Sequence, residues 1–152
     1  TFVAGSSDET KRLLTSPDIT WTEIQDYMLK CVDASTNNDN FSDNGSIIGS
    51  AYGLSKACTN AYTIFLARQH PNIKVNACTP GFIETDMTRH MAVSGGKTPA
   101  EMGMLSPEEG TSASLFLLMG NPEASGYYYG SDCLRSPLDR YRSPGDPPYN
   151  GD

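Results

Sequence analysis

Residues 50–69 carry a helical repeat that runs straight into a short apolar stretch, "IKVNACTP", and stops at Pro80-Gly81. Leu54, Cys58, Ala61, Tyr62 and Phe65 recur at the period of a helix and form an apolar stripe on one face of about five turns. Ile73, Val75 and Ala77 then alternate as strand residues do, and Pro80, which has no N–H for a ladder, ends the run. A helix feeding directly into a strand restricts the chain to layered α/β arrangements, in which helices cover a mostly parallel sheet.

The flanking segments extend that pattern. "TFVAGSS" reads as a short buried strand that delivers Ser6 and Ser7 to its carboxyl end, where open α/β sheets hold their ligands. Thr20 and Glu23 have capping-box spacing, and Ile24, Tyr27, Met28, Cys31 and Val32 follow as an amphipathic helix. "STNNDNFSDNGSIIGS" has loop composition. Residues 86–105 have weak periodicity and a Gly95-Gly96 pair, which suits a mobile segment or short helices over a cleft. "SPEEGTSASLFLLMGNP" reads as one helix with Ser106 as N-cap, Pro107 in the first position, Glu109 closing the box and Gly120 as the stop. "GYYYG" reads as a strand, and residues 131–152, rich in Pro, Gly and charge, as an irregular extension. Strands alternating with helices predict βαβ units with right-handed crossovers and no internal repeat.

At 152 residues the chain fits one domain. A formal charge of −7 provides no basic stripe to neutralise phosphates, which excludes a nucleic-acid surface. No run reaches the roughly 18 apolar residues of a membrane span, and no signal peptide opens the sequence. A soluble chain with a small-molecule or protein partner is expected. Cys31, Cys58, Cys78 and Cys133 lack metal-ligand spacing and read as core thiols of a reducing intracellular compartment, cytoplasmic or organellar. His70 precedes Pro71 at a helix end, where an imidazole can cap carbonyls rather than bind metal.

Tyr52 and Lys56 lie four residues apart on the 50–69 helix and share a face. An ammonium near a phenol favours the phenolate and equips the tyrosine for acid–base work. Such a pair arises by chance in roughly a quarter of shuffled sequences with this many tyrosines, so the pair alone decides nothing.

Its surroundings do more. "YGLSK" on a helix, the strand after it, and "PGFIETDM" resemble the catalytic half of a short-chain dehydrogenase/reductase, and "FVAGSS", "SPEEGTSASLFLL" and "SGYYYG" resemble further elements of that family's carbonyl-reductase-like branch. Position 39, where the commonest members carry their catalytic serine, is an aspartate. The carbonyl-reductase-like branch instead inserts some forty residues between serine and tyrosine, which matches the spacing from Ser7 to Tyr52. The resemblance covers residues 1 to about 130, with residues 20–50 as the insertion.

It implies the C-terminal part of a Rossmann-like doubly wound parallel sheet, with the N-terminal half missing, since the sequence opens inside its first strand. It further implies that Tyr52 protonates a carbonyl oxygen, that Ser7 holds that oxygen, and that Lys56 binds the nicotinamide ribose. Pro80, Gly81, Ile83 and Thr85 would contact the nicotinamide end of NADP, or of NAD. Ser7 also fits a plain strand-end serine, Thr85 a helix N-cap, and the Met residues of the implied lid, 86–105, ordinary core. The Gly-rich turn that binds the dinucleotide and the family's catalytic asparagine have no counterpart here. The chain alone is therefore expected neither to bind NADP strongly nor to turn over a small-molecule carbonyl substrate. A catalytically silent scaffold subunit of a larger assembly is the alternative, and the implied insertion favours a monomer where no assembly holds it.

Overall fold

The computed structural model describes residues 3–36, 50–122 and 124–151. Six helices, α1 (Asp8–Leu14), α2 (Trp21–Thr36), α3 (Ala51–Gln69), α4 (Arg89–Ser94), α5 (Pro107–Gly110) and α6 (Ser112–Met119), accompany a sheet of β1 (Ala77–Cys78), β2 (Tyr128–Tyr129) and β3 (Arg135–Ser136) among the described residues. β1 pairs with β2 in parallel, Ala77 opposite Tyr128, and β2 with β3 antiparallel, Tyr128 opposite Ser136. The protein is thus α/β, with a small mixed sheet whose β1–β2 pairing is parallel, as the alternation predicts, and whose β2–β3 pairing is not.

The principal core lies where α1, α2 and α3 meet. Leu14, Ile19, Ile24 and Cys31 are fully buried there, with Tyr27, Ala57 and Ala61 beside them. Each large aliphatic side chain removed from water contributes about 1.5–3 kcal/mol. The helical stripes of α2 and α3 therefore pack on each other, and Arg68 of α3 locks the α1–α2 connection by donating to the carbonyls of Pro17 and Ile19.

Four expectations change. Residues 3–7 form a bend and turn rather than a strand, with the Ser6 N–H donating to the Val3 carbonyl at 2.9 Å. The physical reason is local: Ser7, Asp8 and Glu9 place a hydroxyl and two carboxylates at a helix start, and the Ser7 Oγ accepts from the Thr10 N–H as N-cap of α1. The expected strand at 73–79 shrinks to two residues because side chains take the place of ladder bonds before Ala77: the Val75 N–H donates to Ser125 Oγ at 2.8 Å, and the Asn76 side chain accepts from the Tyr127 N–H at 2.9 Å and donates to the Ala124 carbonyl at 3.0 Å. The single helix expected after Ser106 is two, α5 and α6, joined at Thr111. The tail expected to be irregular supplies β3 and is tied down by an Asp132–Arg142 ion pair.

Helix ends were predicted more closely. Thr20 and Glu23 cap α2 reciprocally, at 2.8 Å from the Thr20 N–H to Glu23 Oε2 and 3.2 Å from the Glu23 N–H to Thr20 Oγ1. Ser106 and Glu109 form the same box at α5. His70 closes α3 through its backbone N–H, which donates to the Leu66 carbonyl. The "NNDNFSDNG" loop, with Asp39, lies outside the described residues.

Candidate active site

Tyr52 stands in the first turn of α3, directly after the N-cap Ser50, whose Oγ accepts from the Gly53 N–H at 2.9 Å. Tyr52 there lines a cavity together with the loop that follows β1. That loop turns at Gly81, whose φ of +90° lies in the region that glycine alone adopts freely. A Cβ there would also come within 3.1 Å of Leu105 Cδ1 and 3.2 Å of Ser131 Cβ, so the position needs glycine for space as well as for conformation.

Beyond Gly81 the chain is clasped. Ile83 bridges Leu105, with the Leu105 N–H donating to the Phe82 carbonyl and the Glu84 N–H to the Leu105 carbonyl, both at 2.8 Å. Thr88 Oγ1 donates to the Ile83 carbonyl at 2.5 Å and accepts from the Thr85 N–H at 3.0 Å. Segment 86–105 therefore leaves and rejoins the body at one point, and between its ends it forms α4 and a 3-10 turn at Ala100–Met102. The N-cap position of α4 belongs to Thr88, not Thr85, because the 83–88 turn is closed by the Thr88 hydroxyl and delays the helix by a turn.

These elements enclose a cavity of about 880 Å³. Tyr52, Pro80, Gly81, Ile83 and Thr85 all line it, so five residues singled out in the sequence share one wall system. Met87, Met91, Leu115 and Leu118 make the remainder mostly apolar. The cavity is open to solvent, with Tyr52 58% exposed and Met87 and Leu118 more so. Lys56 does not line it. Its Nζ lies 5.5 Å from the centroid of the Tyr52 ring, over the ring face, in a cation–π contact. Ser7 does not line it either, being engaged at the α1 N-cap with Thr10.

Residues that sequence reasoning passed over complete the site. Gly110 faces Ile83, and a Cβ there would fall 2.7 Å from Ile83 Cδ1. Ser114, which lines the cavity, meets Cys78 at 3.7 Å between Oγ and Sγ, which joins α6 to β1. The available signal was the small-residue spacing Gly110, Ala113 and Ser114, which lets α5 and α6 approach the β1 loop closely. No group of His, Cys, Asp and Glu able to hold a metal occurs among the described residues.

No protein-family model matches the chain. Among curated proteins, a (+)-neomenthol dehydrogenase of Arabidopsis thaliana is 41% identical over 71 residues, 44% of this chain and 24% of that protein. Short-chain dehydrogenase/reductase 1 of Saponaria officinalis is 38% identical over 81 residues, 53% of this chain and 23% of that protein. The matched part of the chain is similar to short-chain dehydrogenases/reductases. A third such reductase, carbonyl reductase (NADPH) 3 of Mus musculus, is 32% identical over 100 residues, 59% of this chain and 35% of that protein. The matches thus span about a quarter to a third of the length of these reductases.

Proposed function

We propose that the chain supplies the proton-donor half of an NADP(H)-dependent carbonyl reductase, within a Rossmann-like sheet. The observation that carries this reading is the shared cavity, in which the Tyr52 phenol and the Pro80-Gly81 turn, with Ile83 and Thr85, meet around a mostly apolar volume. The residues fit the nicotinamide end of the cofactor: an aromatic ring can lie on an apolar floor, and the glycine turn lets backbone approach it. The sequence offers no Gly-rich turn for the diphosphate, so that part of the binding falls to other residues.

When bound, reduced nicotinamide supplies the hydride that a carbonyl carbon accepts. Tyr52 then gives its phenolic proton to the carbonyl oxygen, and the alcohol results. Lys56, one helical turn on, holds its ammonium over the face of the Tyr52 ring. Ile83 and Thr85 would orient the nicotinamide ring, and Met91 and Leu115 supply apolar surface beside it.

The test is carbonyl-dependent oxidation of NADPH by a protein in which this chain is joined to a Gly-rich dinucleotide-binding half. Tyr52→Phe removes the transferable proton and is expected to lower turnover about a hundredfold or more, with NADPH affinity nearly unchanged. Undiminished turnover in that variant overturns the assignment. Lys56→Met is expected to weaken both cofactor affinity and rate.

A second reading, a silent scaffold subunit of a larger assembly, is favoured by one observation: Ser7 caps α1 and stands outside the cavity. In that reading the joined protein consumes no NADPH with any carbonyl offered.

A further inference from the structure

Thr85 and Thr88 both line the cavity of Tyr52, three residues apart on the turn that precedes α4. Their hydroxyl oxygens lie 3.2 Å apart, a contact in which either could be the donor. The surroundings decide which one is. A hydroxyl carries one hydrogen to donate and two lone pairs to accept with. The Thr88 hydrogen goes to the Ile83 carbonyl at 2.5 Å. The competing Thr85 carbonyl is farther from it, at 3.3 Å, and already accepts from the Thr88 and Arg89 N–H groups at 3.0 and 2.8 Å. One Thr88 lone pair takes the Thr85 N–H at 3.0 Å. The other is left for the Thr85 hydroxyl, which must therefore donate.

The relay from Thr85 O–H to Thr88 O–H to the Ile83 carbonyl thus runs in one direction. It satisfies Thr88 completely and uses the only hydroxyl hydrogen of Thr85. What the Thr85 side chain still offers is a pair of acceptor lone pairs. Thr85 is exposed and Thr88 half-buried, so the acceptor is reachable while the group that aims it is partly shielded from water. No charged side chain lines the cavity among the described residues, so hydroxyls supply its polar side-chain contacts.

We propose that Thr88 is a positioning residue: it fixes the Thr85 hydroxyl as an acceptor, so that Thr85 selects a ligand that presents an amide N–H. On the carbonyl-reductase reading, on which this inference rests, that N–H belongs to the carboxamide of the nicotinamide.

The experiment has two arms. In the 152-residue chain, amide hydrogen exchange reads the relay with no ligand present. Thr88→Val is expected to speed exchange at Thr85 about tenfold by removing the acceptor of its N–H. Thr88→Ser keeps the hydroxyl and is expected to hold the original rate. In the protein joined to a Gly-rich dinucleotide-binding half, equilibrium affinity is compared for NADPH and for its 3-acetylpyridine analogue, whose methyl ketone keeps the carbonyl and lacks the N–H. With Thr88 in place, NADPH is expected to bind about fivefold more tightly, the size of one neutral hydrogen bond. Thr88→Val frees the Thr85 hydroxyl to donate to the carbonyl that both compounds carry, so the preference is expected to fall toward unity, and Thr88→Ser to retain it. Equal affinity of the two dinucleotides with Thr88 in place, an undiminished preference in Thr88→Val, or an unchanged Thr85 exchange rate in that variant each overturn the positioning role and leave the reductase reading standing. Failure of the joined protein with Thr88 intact to bind either dinucleotide overturns that reading and this role with it.

Discussion

Gly110 shows how a single absent methyl group shapes the candidate active site. Its α-carbon faces Ile83 so closely that an added Cβ would lie 2.7 Å from Cδ1 and 2.9 Å from Cγ1. Gly110→Ala must therefore push Ile83 into the cavity, at a cost of about 1–3 kcal/mol from overpacking. Thermal unfolding measures that loss. Adding Ile83→Ala to Gly110→Ala removes the obstructing atoms, so the double variant should lose less than the sum of the two single changes. A thiol prediction belongs to the same scale. Burial raises the pKa of Cys58 to about 11, with the neighbouring Cys31 adding to the rise, so at neutral pH only about one thiol in ten thousand is ionised. Alkylation by iodoacetamide should spare Cys58 until the protein unfolds and should modify the half-buried Cys78 first. Mass mapping of a time course reads the order directly.

Three helix starts share one device. Glu23, Glu101 and Glu109 each accept from the backbone N–H three residues earlier, at Thr20, Thr98 and Ser106. The pKa of each is lowered from the ordinary 4.5, by hydrogen bonds from Thr20's hydroxyl and backbone for Glu23 and chiefly by the backbone bond for the other two. A carboxyl whose folded value is depressed stabilises the fold at pH above its unfolded value, and that stability disappears as pH falls through the folded value. The amides of Thr20, Thr98 and Ser106 should therefore exchange faster with solvent as pH drops below 4.5, after correction for the intrinsic rate, while the Ile24 amide deeper in α2 should not. Ser106→Ala should cost about 1 kcal/mol by leaving the Glu109 N–H without its acceptor. The Thr20–Glu23 and Ser106–Glu109 caps were legible in the sequence because both partners lie within four residues, whereas Thr98 and Glu101 sit in a stretch of weak periodicity and were passed over. The strand elements were not: β3 exists only because Arg135 and Ser136 find Tyr129 and Tyr128, and "VAGSS" has strand composition but a helix cap at its end. The 106–119 segment misled in a third way, since its periodicity continues across Thr111 while the backbone does not. In the candidate site, Pro80, Gly81, Ile83 and Thr85 were legible as a motif and do meet Tyr52. Gly110 and Thr88 were not, because their importance lies in what they approach.

At the scale of the whole molecule, a mostly buried ion pair, Asp132 with Arg142, fastens the tail beside the edge of the sheet. Asp132 Oδ2 accepts from both Arg142 Nη atoms, Nη2 at 2.5 Å, and from the Gly145 N–H at 2.9 Å. The Asp132 and Arg142 side chains are only 19% and 5% exposed, so little water competes. Further out, Arg135 lies 3.6 Å over the Tyr127 ring and 5.2 Å from that of Tyr149, whose N–H donates to the Arg135 carbonyl. The order of contacts makes Asp132 the inner fastening and the aromatic stack the outer one. Asp132→Asn leaves a mostly buried guanidinium without its counter-charge and should cost about 2–4 kcal/mol. Asp139→Asn, in an exposed pair, should cost less than about 0.5 kcal/mol. Limited proteolysis distinguishes loosening from global unfolding. In Asp132→Asn, cleavage should appear first after Arg140 and Arg142 while the α1–α3 core stays resistant, because Leu14, Ile24 and Cys31 pack without help from the tail. Simultaneous loss of core and tail would instead mean that the sheet edge and the helical core unfold as one cooperative unit, with β2 as the element that couples them.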